Sequence, residues 1–145
     1  MFRNNGIALL VHTCLSFIAM FIFINLNDGS ISKIICTIPQ KIFAYSTLTL
    51  IIAAIYLLTG FNLKDQGLIL TNALSVSVVS LILISVWFFS EILNILPNGY
   101  YSIFNFSFFP LLYIFSNNKL VGIILLFIPS ILLFTGLQLK LRKKV

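Results

Sequence analysis

The run IALLVHTCLSFIAMFIFIN, from Ile7 to Asn25, decides the fold class of this chain. It is 19 residues long and contains no Asp, Glu, Lys or Arg. Because a helix rises about 1.5 Å per residue, about 20 apolar residues cross the roughly 30 Å hydrocarbon core of a bilayer. In lipid, backbone N–H and C=O groups must be satisfied within the segment or a barrel. A run this long without apolar/polar alternation therefore predicts a membrane-spanning helix.

Three further charge-free runs have the same character, and they extend over residues 42–60, 67–90 and 120–139. The 145-residue chain is 60% hydrophobic and 8% charged, whereas a soluble domain has about 45–50% apolar and about 25% charged residues. So few charges cannot cover a water-soluble fold, and the high hydrophobicity excludes intrinsic disorder. The sequence therefore predicts one all-α integral membrane domain over residues 1–145, a bundle of four transmembrane helices.

The segment from Tyr100 to Ser116 is uncharged and rich in aromatic residues, but Asn105 and Pro110 interrupt it. Aromatic rings with polar neighbours favour the membrane interface. Asn and Pro suit an interfacial or re-entrant segment better than a lipid-facing helix. We therefore expect an interfacial or re-entrant segment over about 100–116, between the third and fourth helices. A short fifth span at this segment is the alternative.

The distribution of positive charge does not separate these two topologies. Four spans with both ends inside place six Lys or Arg residues in the cytoplasm and three outside, and five spans with the N terminus outside give the same counts. Both topologies make the tail, residues 140–145, cytoplasmic, because Lys and Arg mark the cytoplasmic side. We expect a multi-pass plasma-membrane protein whose tail is held at the anionic membrane surface by Lys140, Arg142, Lys143 and Lys144.

His12 is the only histidine and lies inside the first run. An ionisable residue in a membrane helix is a candidate functional residue, because it titrates near neutral pH and is costly to charge in lipid. However, Ala8, His12, Ser16 and Ala19 share one helical face of small and polar groups, which is typical of a close helix contact. We therefore interpret His12 as a packing residue that hydrogen-bonds across such a contact.

The third run is the most polar of the four. Its residues Asn72, Ser75 and Ser80 lie in one arc of the predicted helix, which is more typical of a packing face than of a pore lining. Glu91 follows the run and precedes turn residues, so we expect it at a helix end in contact with water. The alternative is a small oligomeric transporter or channel in which these polar side chains and Glu91 line a path.

Pro129 in the fourth run lacks a backbone N–H and leaves the carbonyl of Leu125 without its helical donor. The pair Pro129 and Ser130 therefore predicts a kink, with Ser130 or a neighbour bonding that carbonyl. The aromatic segment is the candidate external contact, because amphipathic rings at an interface bury a large area. Its contact residues are expected to be Tyr100, Tyr101, Phe104, Phe108, Phe109 and Tyr113.

The chain contains no motif for nucleophilic, phosphate-binding or paired-carboxylate chemistry. One His and two distant Cys residues predict no metal site and no cofactor. The net charge of +6 is scattered, so nucleic-acid binding is not expected. The sequence favours a non-enzymatic membrane protein that acts through contacts with lipid, with another membrane protein or with its own copies, as immunity, accessory or envelope-stress subunits do. A transporter is the second hypothesis, and an intramembrane enzyme built on His12 is the third.

Overall fold

The computed structural model describes residues 1–27, 37–93, 105–115 and 119–142. Every regular element within these ranges is helical. Helix α1 extends over Phe2–Asn27 and α2 over Ile38–Asn62. Both are long and apolar enough to cross a membrane, and each contains a predicted run with a few residues added at either end. The first two helices predicted from the sequence are thus confirmed.

The third run is broken, and the prediction of one continuous helix over 67–90 is wrong. Helix α3 extends over Ile69–Leu74 and α4 over Val78–Trp87, and α4 continues into a π-helical segment over Phe88–Ile92. At the break, Ser75 Oγ donates to the carbonyl of Asn72 at 2.8 Å, and Ser77 Oγ donates to the carbonyl of Leu74 at 3.1 Å. Serine hydroxyls can compete with the helical N–H donors for such carbonyls.

The fourth run forms two consecutive helices, and a separate short helix precedes it. Helix α5 extends over Phe109–Ile114, α6 over Lys119–Leu125 and α7 over Ile128–Arg142. Taken together, Leu120–Arg142 is the third stretch long and apolar enough to cross a membrane. The chain turns at residues 126–127, directly before Pro129. Pro129 lies in the first turn of α7. Backbone N–H groups in a first turn make no hydrogen bond within the helix, so proline is tolerated there.

The start of α1, the loop 63–68 and the end of α7 meet at one end of the bundle, which we call the polar end. The Met1 amino group donates to Gln66 Oε1 at 2.9 Å, and Lys140 Nζ donates to the carbonyl of Leu63 at 2.8 Å. At the opposite end, the far end, α1 finishes at Asn27 and α2 begins at Ile38. Helices α2 and α7 therefore run parallel, both towards the polar end.

Two glycines set the distance between α2 and α7, which form the most extensive helix contact in the bundle. A Cβ atom on Gly60 would overlap the carbonyl of Leu133, and a Cβ atom on Gly136 would overlap the carbonyl of Leu57. The two backbones touch at this point because neither residue has a side chain. Close approach through small residues is a characteristic mode of helix packing in membranes.

The interior is filled by apolar side chains from all the long helices, including Leu15, Ile52, Leu83 and Leu133. Large apolar side chains also cover the outside: Phe21 and Leu50 are each 70% exposed. A water-soluble fold would place polar groups at such positions, whereas a bilayer provides apolar surroundings for them. This surface fits helices that lie in lipid.

Adding a methyl group at either contact glycine should destabilise the bundle. Gly60→Ala and Gly136→Ala force two helix backbones apart, and overpacking of this kind costs about 1–3 kcal/mol. The free energy of unfolding of the purified protein, measured by SDS titration in mixed micelles, should fall by that amount. Gly6→Ala is the matched control, because a Cβ atom there meets nothing within 4 Å. Equal stability of all three variants would contradict the close contact.

Candidate functional site

The side chain of His12 lies between α1 and α2 and is 4% exposed. His12 is about 15 Å along α1 from the start of the helix. Its Nδ1 atom and the hydroxyl oxygen of Tyr56 are 2.6 Å apart and share a hydrogen bond. Ala8, Ser16 and Ala19, on the same face of α1, are also buried. Because a polar group buried among apolar atoms is costly unless it is hydrogen-bonded, the His12–Tyr56 pair connects the two helices at this depth.

Tyr56 also packs against the segment 105–115. The ring of Phe108 stacks on it, with 5.7 Å between centroids and 21° between planes. Phe108 is 1% exposed and Ser107 is fully buried. The expectation that Phe108 is an external contact residue is therefore wrong. The turn over residues 105–108 places the ring of Phe108 inside the bundle, against Tyr56 of α2.

The remaining candidate contact residues of the aromatic segment are only partly described. Phe109 is half-buried, and its ring meets Phe23 edge-on, with 5.1 Å between centroids. It therefore offers only part of its surface to a partner. Tyr100, Tyr101, Phe104 and the side chain of Tyr113 lie outside the described residues. For these four residues, the external contact stays a prediction.

Asn4 joins three parts of the chain at the polar end. Its Nδ2 donates to the carbonyl of Lys64 at 2.7 Å and to Ser75 Oγ at 3.1 Å. Its Oδ1 accepts a hydrogen bond from the backbone N–H of Lys64 at 3.2 Å. Asn4 is fully buried, so this single amide links α1, the loop 63–68 and the break after α3.

Asn72 completes the same network from α3. Its Oδ1 accepts from the backbone N–H of Gln66 at 2.8 Å, and its Nδ2 donates to Asp65 Oδ1 at 2.9 Å. Asp65 Oδ1 also accepts from the backbone N–H of Gly67 at 2.9 Å. Gly67 has a φ of 90°, a conformation that favours glycine. Asn72 and Ser75 therefore hold the loop in place.

Ser80 and Ser130 connect residues 69–92, which comprise α3, α4 and the π-helical segment and are called the third region, to α7. Ser80 Oγ donates to Ser130 Oγ at 2.8 Å, and Ser130 Oγ donates to the carbonyl of Val76 at 2.8 Å. The sequence predicts that Ser130 or a neighbour bonds the carbonyl of Leu125, and Ser130 does not take that role. Its single proton goes instead to the break between α3 and α4, where Val76 lacks a regular helical partner.

Glu91 lies in the π-helical segment and is exposed. It is near the C-terminal end of the third region, which extends away from the polar end. Asn72 and Ser75 are near its N-terminal end and lie at the polar end itself. Ser80 is bonded to Ser130 between them. The structure thus does not bring Glu91 together with the three polar residues of the third run.

The described part of the basic tail lies at the polar end. Lys140 is bonded to the carbonyl of Leu63, and Arg142 is exposed. Lys140 is half-buried, and the role of these two residues as surface anchors stays a prediction. Lys143 and Lys144 lie outside the described residues, so their role as surface anchors stays a prediction.

A cavity of about 360 Å³ opens between α1 and α4. Its polar part consists of His12, Thr13 and Ser16, all from α1. The rest of the wall is apolar and is formed by Leu9, Phe17, Met20, Val79, Ile82 and Leu83. Of these three polar residues, Thr13 is exposed, whereas His12 and Ser16 are buried.

No family model matches the chain, and neither a curated protein nor a solved structure matches it. Within the described ranges, no group of three or more His, Cys, Asp or Glu side chains could hold a metal ion. Function must therefore be inferred from the contacts of the chain itself.

The sequence did not single out Asn4, Tyr56, Gly60 or Gly136 as site residues. Asn4 precedes the first apolar run, and Tyr56 is one of many aromatic residues. Gly60 and Gly136 are far apart in the sequence, so no local spacing connects them. The sequence predicts that His12 hydrogen-bonds across a helix contact. It does not identify the partner, because Tyr, Ser and Thr residues occur in all the other predicted helices.

The His12–Tyr56 bond should appear as a coupling energy between the two side chains. His12→Phe and Tyr56→Phe each remove one partner, and Tyr56→Phe keeps the ring that stacks on Phe108. We expect the double variant to be more stable than the sum of the single losses implies, by about 0.6–1.7 kcal/mol. SDS unfolding of the four proteins measures this value.

Tyr45→Phe provides the control for this cycle. The Tyr45 hydroxyl accepts a hydrogen bond from Asn27 Nδ2 at 2.7 Å, near the far end. Its loss should therefore add to that of His12→Phe without coupling. Strict additivity in the His12–Tyr56 cycle itself would contradict the bond.

Proposed function

We propose that the chain is a plasma-membrane protein that crosses the bilayer four times and has both termini in the cytoplasm. The bond from Lys140 Nζ to the carbonyl of Leu63, at 2.8 Å, supports four spans over five. A five-span topology with an external N terminus would put the loop 63–68 outside and the end of α7 inside. Four spans put both on the same side of the membrane.

The charge at the polar end supports its cytoplasmic location. Arg3, Lys64, Lys140 and Arg142 lie there, and Asp65 is the acidic residue of the loop 63–68. An excess of Lys and Arg in short connections marks the cytoplasmic side. The contact that groups the loop 63–68 with the C-terminal helix supports the four-span alternative, which the charge count alone does not separate from five spans.

The third region crosses, in this proposal, as an interrupted helix. It leads from Asn72 at the polar end to Glu91, with a break at residues 75–77. Broken helices are tolerated within a membrane when neighbouring helices satisfy the freed backbone groups. The bond from Ser130 Oγ to the carbonyl of Val76 does this for the break.

Our proposal for function is a non-enzymatic protein that acts through contacts with lipid and with another membrane protein or a second copy of itself. The supporting observation is that the His12–Tyr56 bond, the Ser80–Ser130 bond and the shared network of Asn72 and Ser75 join parts of the bundle at three separate places. Such bonds hold helices together, whereas a transport path requires polar groups in a continuous line through the membrane. Immunity, accessory and envelope-stress subunits are the types of protein that fit this description.

A flux assay separates this proposal from a transporter. Purified protein is reconstituted into vesicles that contain a pH-sensitive dye, and a proton gradient is applied. We expect wild type and Glu91→Gln to dissipate the gradient no faster than protein-free vesicles do. A proton flux that Glu91→Gln abolishes, with assembly intact, would favour the transporter.

Photocrosslinking in the native membrane tests the contact itself. A photoreactive phenylalanine analogue is introduced at Tyr101, at the lipid-exposed Phe21 or, as a buried control, at Leu133, which is 0% exposed. We expect a discrete protein adduct from at least one of the first two positions and none from Leu133. An adduct of twice the mass of the chain would identify a second copy as the partner. Lipid adducts alone would contradict the partner contact.

A further inference from the structure

The cavity between α1 and α4 has the size of a small-molecule site. Its volume of about 360 Å³ falls in the range of about 300–1,000 Å³ that ligand pockets occupy. Val79 and Leu83, each 1% exposed, form its inner wall, and Leu9 and Phe17, 37% and 61% exposed, are at its rim. The opening therefore faces the outside of the bundle.

The depth of the cavity decides what fills it. Thr13 lies about 17 Å along α1 from its start, close to the middle of a hydrocarbon core about 30 Å thick. At that level the surroundings are lipid chains and not water. A charged ligand would be costly here, so an occupant that enters from the side is uncharged and has an apolar tail to match the wall.

The polar part of the wall adds a requirement for a hydrogen-bond donor. Thr13 Oγ donates its proton to the carbonyl of Leu9, at 2.9 Å, within its own helix. A hydroxyl oxygen has one proton and two lone pairs, so towards the cavity Thr13 presents only acceptor sites. The group that matches Thr13 is therefore an uncharged hydrogen-bond donor, such as an O–H.

We propose that this cavity binds one uncharged lipid-like alcohol, with its hydroxyl donating to Thr13 Oγ and its chain between α1 and α4. The binding is independent of a protein partner, and it would stand if the proposed contact function failed. It assigns a role to Thr13, a polar residue of α1 that the bond between His12 and Tyr56 does not involve.

Photolabelling in phosphatidylcholine vesicles tests the proposal. The probe is a hexadecanol analogue with a diazirine on its chain. We expect labelling of α1 and α4 to saturate with probe concentration and to be competed by unlabelled hexadecanol but not by hexadecane. Labelling that rises linearly and is not competed would identify ordinary surrounding lipid and overturn the proposal. Equal competition by hexadecane would overturn the role of the hydroxyl.

Two matched pairs of variants locate the site. Leu9→Trp closes the rim and should abolish saturable labelling, whereas Leu10→Trp, at the neighbouring position that is 64% exposed and outside the cavity, should not. Thr13→Val should weaken the competition by hexadecanol about fivefold, the effect of one lost hydrogen bond.

Thr47→Val is the control for Thr13→Val. Thr47 Oγ makes the same type of local bond, to the carbonyl of Phe43 at 2.9 Å, but lies away from this cavity. Unfolding in SDS verifies that each variant is folded. Saturable labelling that survives Leu9→Trp in a folded protein would place the binding elsewhere and contradict the proposal.

Discussion

The amide of Asn4 makes the contact on which the arrangement of this bundle depends. It bonds both the N–H and the carbonyl of Lys64 and also Ser75 Oγ. A fully buried amide with these partners fixes the start of α1 against the loop after α2 and against the broken third region. Since removing one partner of a buried polar group costs about 1–3 kcal/mol, the polar end is held in one geometry. The end of α7 joins it through Lys140.

The rest of the bundle follows from how helices associate in lipid. Apolar surface gives little preference for one helix neighbour over lipid, so close backbone contact and hydrogen bonds decide the pairing. Gly60 and Gly136 supply the backbone contact between α2 and α7. His12 with Tyr56, and Ser80 with Ser130, supply hydrogen bonds at other places. Each of these bonds also gives a polar group a hydrogen-bond partner, which lipid chains cannot provide.

The sequence predicts those features that depend on composition over a long run. Three of the four predicted spans form helical stretches long and apolar enough to cross a membrane, as charge-free runs of about 20 residues predict. The third does not, because the hydroxyls of Ser75 and Ser77 can serve either a helix or a turn. At this break Ser130 bonds the carbonyl of Val76, a contact between residues 54 positions apart that no local sequence pattern indicates.

The same limit applies to the candidate site. The inward face of α1 could be predicted because Ala8, His12, Ser16 and Ala19 follow helical spacing. The partner of His12 could not, since Tyr56 has no local relation to it. The sequence predicts Phe108 at the surface because aromatic rings with polar neighbours favour the membrane interface. Its burial follows from a stack on Tyr56 that only the folded chain brings together.

The central claim is that the loop 63–68 and the end of α7 lie on the same, cytoplasmic side of the membrane. In a background with Cys14→Ser and Cys36→Ser, single cysteines are placed at Lys64, at Arg142 and, near the far end, at Ile38. An impermeant maleimide is then applied to intact cells. The account predicts that Ile38→Cys is labelled and that the other two react only after permeabilisation. Labelling of Lys64→Cys in intact cells, with Arg142→Cys protected, would contradict it.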